Sequence, residues 1–80
     1  MPINQITVLF FGPLAEQAGV KTLQLVDQLD TDMLLTTLKA QYPFLGQSPY
    51  QLAMDLEIIV GNIKFEKDHT IAILPPYAGG

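Results

Sequence analysis

Only one long stretch of this sequence has helical spacing, and most of the rest alternates with the period of β-strands. Four apolar residues recur every three to four positions and would share one face of a helix. They are Met33, Leu34, Leu38 and Tyr42. Asp30 or Thr31 is suited to cap this helix, and Pro43 would end it. One helix covers only one face of a sheet, so the pattern predicts an α+β fold whose second sheet face lacks a helix.

About five short strands are predicted around the helix, at residues 3–11, 20–26, 52–60, 63–65 and 70–74. The first and last strands are apolar on both faces, so we expect them to be central neighbours in a mixed sheet. Strand 20–26 alternates with polar residues and is expected near an edge. Pro13 would begin a short helix that ends at Gly19. Gly61 and Asn62 suit a two-residue hairpin turn.

The alternation divides the apolar residues between the two faces of the sheet. The predicted core face contains Ile6, Val8, Phe10, Leu56, Ile58, Val60, Ile71 and Ile73. The opposite face would hold Leu9, Phe11, Ile59, Ala72 and Leu74. A contiguous apolar patch of this kind usually marks an interface. The alternative is a second small core, covered by the loop around Phe44 and Leu45.

Length and composition limit the classes of function. Eighty residues, 49% apolar and 15% charged, predict a single folded domain spanning residues 1–80. The absence of cysteine excludes disulfides and thiolate metal sites, and with a single histidine we expect no bound metal. The net charge of −4, without arginine, argues against nucleic acid and favours a protein partner with a basic surface. No apolar run approaches the length of a membrane helix, so we expect no membrane partner and a cytoplasmic location.

The last six residues, 75–80, are predicted to form an extended tail. Pro75 and Pro76 favour an extended chain that projects from the sheet. Glycine lacks a Cβ atom, so Gly79 and Gly80 can pass through a channel too narrow for side chains. The Gly80 carboxylate is a poor electrophile until it is converted to an acyl-adenylate, which accepts sulfur or an amine. The tail is therefore suited to present Gly80 to the active site of another protein.

Four segments together resemble the small subunits of molybdopterin synthase, sulfur carriers of the ubiquitin-like β-grasp superfamily. They are ITVLFF at 6–11, LAEQAG at 14–19, IIVGN at 58–62 and the ending IAILPPYAGG. The terminal PPxxGG after an apolar strand is the most specific of them. The resemblance implies a β-grasp fold with about five strands and one main helix.

The resemblance also implies a function in molybdenum cofactor biosynthesis. An adenylyltransferase would activate Gly80 with ATP and magnesium, and a sulfur-transfer protein would convert it to a thiocarboxylate. This chain would bind neither cofactor. It would be a non-catalytic subunit that donates sulfur to a cyclic pyranopterin monophosphate while docked, as part of a heterotetramer, on the large catalytic subunit. The residues expected to contact partners are Leu9, Phe11, Ile59, Leu74, Pro75, Pro76, Tyr77 and Ala78.

Two other classes of function stay open at this point. The first is a related carrier for thiamine or tRNA thiolation, or a protein modifier; the segment 14–19 argues against the thiamine type. The second is a β-grasp interaction module without tail chemistry. His69, in a predicted charged turn, is interpreted as solvated and not as an acid–base group.

Overall fold

The computed structural model describes residues 3–76, and these form a five-stranded mixed sheet with one main helix. The elements are β1 (Gln5–Phe10), α1 (Pro13–Ala18), β2 (Thr22–Val26), α2 (Thr31–Gln41), a 3₁₀ turn (Pro43–Gly46), β3 (Gln51–Met54), β4 (Glu57–Ile59) and β5 (His69–Leu74). The strand order is β2-β1-β5-β3-β4. The α+β, ubiquitin-like β-grasp fold class is thereby confirmed.

The predicted central pair is also confirmed. β1 and β5 are parallel neighbours, with Thr7 opposite Thr70 and Phe10 opposite Ile73. All other neighbouring strands are antiparallel, and β2 lies at one edge as expected. Parallel pairing requires a long crossover connection, and the segment that contains α2 supplies it. The C-terminal ends of β1 and β5 therefore meet at the same end of the sheet.

Both helices begin and end close to the predicted positions. The side chain of Asp30 caps α2 by accepting a 2.8 Å hydrogen bond from the Met33 N–H. Gly19 ends α1 in the left-handed conformation, with φ of 79°. Leu34 and Leu38 are buried, but Met33 is 39% exposed, so its place in the apolar face of the helix was wrongly predicted.

A single core lies between α2 and one face of the sheet. It is formed by Ile6, Val8, Phe10, Leu14, Leu34, Leu38, Leu45, Phe65, Ile71 and Ile73. The predicted core residues on β1 and β5 are all among them. Tyr42 packs edge-on against Phe10, with ring centroids 5.4 Å apart.

The prediction for residues 52–60 was wrong in one respect that changes the faces. The segment is not one strand but a hairpin, because Asp55 and Leu56 form a two-residue turn between β3 and β4. A turn of two residues reverses the chain and shifts the alternation by one position. Leu56 and Val60 are therefore exposed, and Ile58 lies on the face away from α2. Ile59 pairs with Leu52 on the α2 side, opposite to its predicted face.

The predicted turn at Gly61 and Asn62 has a different role. Gly61 has a positive φ of 78°, but the predicted strand at 63–65 does not form, and only an isolated bridge joins Lys64 to Asp30. The Asn62 side chain instead accepts hydrogen bonds from the Thr31 hydroxyl (2.9 Å) and the Asp32 N–H (2.8 Å). These bonds attach the loop to the first turn of α2.

Candidate functional site: an apolar sheet face beside the C-terminal tail

The sheet face away from α2 carries an apolar groove. Side chains alternate along a strand, so Leu9 of β1 shares this face with Ala72 of β5, its partner in the parallel register. Ala72 in turn pairs with Ala53 of β3, and Ala53 pairs with Ile58 of β4. These small and branched residues form the floor of an open groove of about 560 Å³.

Most of the side chains around the groove are apolar. Its lining consists of Leu9, Phe11, Ala53, Asp55, Leu56, Ile58, Thr70, Ala72 and Leu74. Phe11 is 44% exposed and Ile58 is 51% exposed. Asp55 is the only charged side chain in this lining among the described residues. Exposed apolar side chains in one continuous surface are typical of protein interfaces.

The loop that was considered as a cover for this face lies elsewhere. Leu45 is 2% exposed and belongs to the core below α2. Phe44 packs on the same core and contacts the Tyr42 ring edge-on at 6.4 Å. The alternative of a second core is therefore wrong, because neither residue lines the groove.

The root of the tail lies at the end of the groove that Phe11 and Leu74 form. The Phe11 N–H donates a 3.1 Å hydrogen bond to the Ile73 carbonyl, which extends the pairing of the two strands beyond β1. Pro75 is buried and lies close to Gly12, where an added Cβ would be 3.4 Å from the proline Cγ. Pro76 is exposed. Pro75 thus fixes the point and direction at which the chain leaves the sheet.

The structure brings some of the predicted contact residues together and separates others. Leu9, Phe11 and Leu74 share the groove, whereas Ile59 lines a different depression between β4 and α2, with Leu35. The predicted tail residues Tyr77, Ala78, Gly79 and Gly80 lie outside the described residues.

Sequence reasoning missed the contribution of the hairpin turn to the groove. Leu56 is 100% exposed, and its turn contains no glycine or asparagine that would have indicated it. The only signal was the dipeptide Met54-Asp55, where an acidic residue interrupts an apolar run. Once the turn is placed there, the face of Ile58 follows from the alternation.

The opposite end of the groove is polar and acidic. The Asp55 carboxylate accepts a 3.0 Å hydrogen bond from the Thr70 N–H and lies 2.6 Å from Nδ1 of His69. These two hydrogen bonds, the one from Thr70 foremost, hold the pKa of Asp55 below its ordinary value. Asp68 lies at the same end, where it accepts a 2.8 Å hydrogen bond from the Gln5 N–H.

His69 does not lie in a solvated turn, as its charged neighbours suggested. It is the first residue of β5, and its side chain is 9% exposed. Its ring packs against Phe65 with centroids 5.6 Å apart. The ring therefore links the hairpin turn to the core.

The composition of this face is that of a binding surface. Within residues 3–76, no three His, Cys, Asp or Glu side chains are grouped as a metal site would require. In the same part of the chain no helix is long and apolar enough to cross a membrane. The groove offers a broad apolar surface and one carboxylate, and the chain leaves β5 at one of its ends.

The sequence matches the profile of one protein family over most of its length. The profile of the ThiS family matches residues 8–80. No curated protein sequence matches the chain.

Several solved structures have the same fold. Small archaeal modifier protein 1 from Methanosarcina acetivorans is 23% identical and superposes with a TM-score of 0.78, over 96% of this chain and 97% of that one. A protein described as a subunit 1 of molybdopterin converting factor from Pyrococcus furiosus is 13% identical, with a TM-score of 0.79 over 90% and 97% of the two chains. A complex of subunits 1 and 2 of the Helicobacter pylori factor contains a chain 24% identical, with a TM-score of 0.70 over 95% and 99%. At these identities the likeness is one of fold.

Proposed function

The chain belongs to the ThiS family of ubiquitin-like sulfur carriers, and we propose that it carries sulfur as a thiocarboxylate on its C-terminal residue, Gly80. In this proposal the chain has no catalytic centre of its own. It docks on partner proteins through the apolar groove and places its tail in their active sites.

Loading of the tail takes two steps at a partner's active site. In the first, an oxygen of the Gly80 carboxylate attacks the α-phosphorus of magnesium-bound ATP, and pyrophosphate leaves. In the second, a sulfur nucleophile at the oxidation level of sulfide attacks the acyl carbon, and AMP leaves with the bonding electron pair. A free carboxylate is ionised at neutral pH and resists direct substitution, so the adenylate intermediate is required.

The observation that carries the proposal is the position of the groove beside the root of the tail. A partner that covers Phe11 and Leu74 lies directly over the point where the chain leaves β5. Pro75 is buried, so the point where the chain leaves the sheet is fixed relative to the docked surface. An interaction module without tail chemistry would have no need of this arrangement, nor of two glycines at the chain end.

We further propose molybdopterin synthesis as the pathway. The partner would be the large catalytic subunit of molybdopterin synthase, in a heterotetramer, and the acceptor a cyclic pyranopterin monophosphate. Each transfer would return Gly80 to a carboxylate, with water supplying the oxygen atom, and two transfers would complete the dithiolene. Support comes from the terminal PPxxGG and from the shared fold with subunit 1 of the Pyrococcus and Helicobacter factors. An adenylyltransferase and a sulfur-transfer protein, in the cytoplasm, complete the system.

The test of the carrier function is the intact mass of the protein purified from its native host under reducing conditions. We expect a fraction of the chains to be heavier by the difference between one sulfur and one oxygen atom, located at Gly80 by fragmentation. A variant without Gly79 and Gly80 is the control and should never show this species. An unmodified terminus under conditions of active cofactor synthesis would contradict the proposal.

A second candidate is a protein modifier, because the archaeal neighbour with a TM-score of 0.78 is described as one. A modifier would form an isopeptide bond between Gly80 and a lysine of a target, with loss of AMP from the same adenylate. A single-turnover assay with purified large subunit and cyclic pyranopterin monophosphate distinguishes the molybdopterin carrier from the modifier. A molybdopterin carrier converts the pterin in a single turnover, whereas a modifier, or a carrier for thiamine or tRNA thiolation, leaves it unchanged.

A further inference from the structure

The turn between β3 and β4 holds a leucine in a conformation that leucine rarely adopts. Both turn residues have positive φ angles, 50° for Asp55 and 79° for Leu56. A two-residue hairpin of this type favours Asn-Gly or Asp-Gly, because a Cβ atom is strained there. Leu56 is nevertheless present, and its side chain is 100% exposed. Its side chain makes no core contact that would offset the strain.

The rest of the turn is firmly attached, which keeps the leucine in place. The Asp55 N–H donates a 2.9 Å hydrogen bond to the Thr70 carbonyl, and its carboxylate accepts one from the Thr70 N–H. The same carboxylate contacts the ring of His69. Strained residues persist where their surroundings determine the conformation, and such positions are concentrated at functional sites. Leu56 is therefore held at the rim of the groove, on the side where Ile58 lies.

We propose that Leu56 is a docking anchor, which inserts into an apolar pocket of the adenylating enzyme beside a basic side chain that pairs with Asp55. This inference rests on the proposed function and deepens it, since it names the contact that orients the carrier at the end of the groove distant from the tail. Two contacts far apart, Phe11 near the tail and Leu56 at the hairpin, fix the rotation of the carrier on its partner.

Charge identifies the occupant as a different protein and not a second copy of this chain. The groove lining of the described residues includes a carboxylate and no lysine, and Glu57 is exposed next to the turn. A second copy would bring a net charge of −4 and no cation from its own groove. Like charges across an interface are unfavourable, whereas a basic partner is attracted. A partner with lysine or arginine at this point is therefore expected. We assign this place to the adenylating enzyme, because the carrier and the modifier both pass through the same adenylate.

The experiment measures carrier-dependent ATP–pyrophosphate exchange by the purified adenylating enzyme with wild-type chain and with Leu56→Gly. Glycine adopts a φ of 79° without strain, so the melting temperature should be unchanged or higher. Loss of a buried leucine contact should raise the KM for the carrier by about tenfold or more, with kcat unchanged. The matched control is Leu29→Ala, at a leucine 60% exposed and outside the groove, which should alter neither quantity.

Asp55→Asn separates the charge from the turn, because asparagine is also favoured at this turn position. We expect a smaller rise in KM, together with a weaker dependence of KM on salt. A wild-type KM for Leu56→Gly would overturn the anchor. If the wild-type chain self-associates and the Leu56→Gly variant is monomeric, the occupant is a second copy, and the proposed anchor is overturned equally. The carrier function is tested by a different outcome: it is contradicted if the wild-type chain supports no ATP–pyrophosphate exchange at all.

Discussion

Phe10 and Phe11 are adjacent in the sequence but lie on opposite faces of the sheet. Replacing each by alanine tests whether one face forms the core and the other binds a partner. Phe10 is 4% exposed and contacts Tyr42 in the core, whereas Phe11 is 44% exposed at the groove. Phe10→Ala should destabilise the fold, and Phe11→Ala should mainly weaken docking.

The loss of affinity for Phe11→Ala follows from its exposed area. A phenylalanine side chain has roughly 200 Å² of surface, so the 44% that is exposed corresponds to about 90 Å² that a partner can cover. At about 25 cal/mol per Å², this is about 2 kcal/mol, or roughly a 30-fold weaker Kd. The buried part of the ring contributes to folding, so we also expect a loss of about 1–2 kcal/mol in the free energy of unfolding.

Phe10→Ala should have the reverse profile. Removal of a fully buried phenylalanine costs about 3–5 kcal/mol in the free energy of unfolding, which is a large fraction of the stability of an 80-residue domain. Where the protein remains folded, its affinity should change little, because Phe10 does not line the groove.

Two measurements on each variant are sufficient: the unfolding free energy from urea titration and the Kd for the adenylating enzyme from calorimetry. The reasoning is refuted if Phe11→Ala destabilises the domain as much as Phe10→Ala does, since Phe11 would then be a core residue. It is also refuted if the Phe11 variant folds and binds with wild-type affinity.

Three further predictions concern stability. The pKa of Asp55 is lower in the folded protein than its ordinary value of 3.8. The ionised carboxylate therefore stabilises the fold above pH 3.8, and this stabilisation is lost as the pH falls through the lower folded pKa. As the pH is lowered below 3.8, the melting temperature of Asp55→Asn should decline less than that of the wild type. Asn62→Ala removes two acceptor contacts at the start of α2 and should lower the unfolding free energy by about 1–3 kcal/mol in urea titration, without changing the KM for the carrier. Gly12→Ala places a Cβ atom at a residue with a φ of 58° and against the Pro75 ring, so the free energy of unfolding should fall by about 1–3 kcal/mol. The control is Gly46→Ala, where the added Cβ has open space and should have little effect. Equal losses in the two variants would contradict this prediction.

The central part of the fold was predictable because its signals are local and redundant. Residues 6–10 and 71–73 are apolar on both faces, which indicates central strands whatever their partners are. The α2 helix has both a capping aspartate and a proline after its last turn. The aspartate marks the start of the helix and the proline marks its end, and neither signal depends on tertiary contacts.

The face of the β3–β4 hairpin was not predictable for a physical reason. Turns are recognised by glycine, asparagine and proline, which relieve strain, and here Asp55-Leu56 tolerates the strain instead. A missed two-residue turn transfers every following side chain to the other face. The open face was thus identified correctly from β1 and β5, while its contribution from β4 was assigned to Ile59 in place of Ile58.

The direction of β5 bears on the proposed function, because it decides at which end of the groove the chain leaves the sheet. Because β5 is parallel to β1, the chain leaves the sheet beside Phe11, at the apolar end of the groove. An antiparallel β5 would release the tail beside Thr7, next to the acidic end formed by Asp55 and Asp68. A carboxylate delivered from that end would approach its partner among like charges and away from the exposed apolar residues. Under the proposed function, the parallel central pair therefore keeps the acidic end of the groove away from the point where the chain leaves β5. A partner could then contact the acidic end with basic side chains while the tail enters its active site.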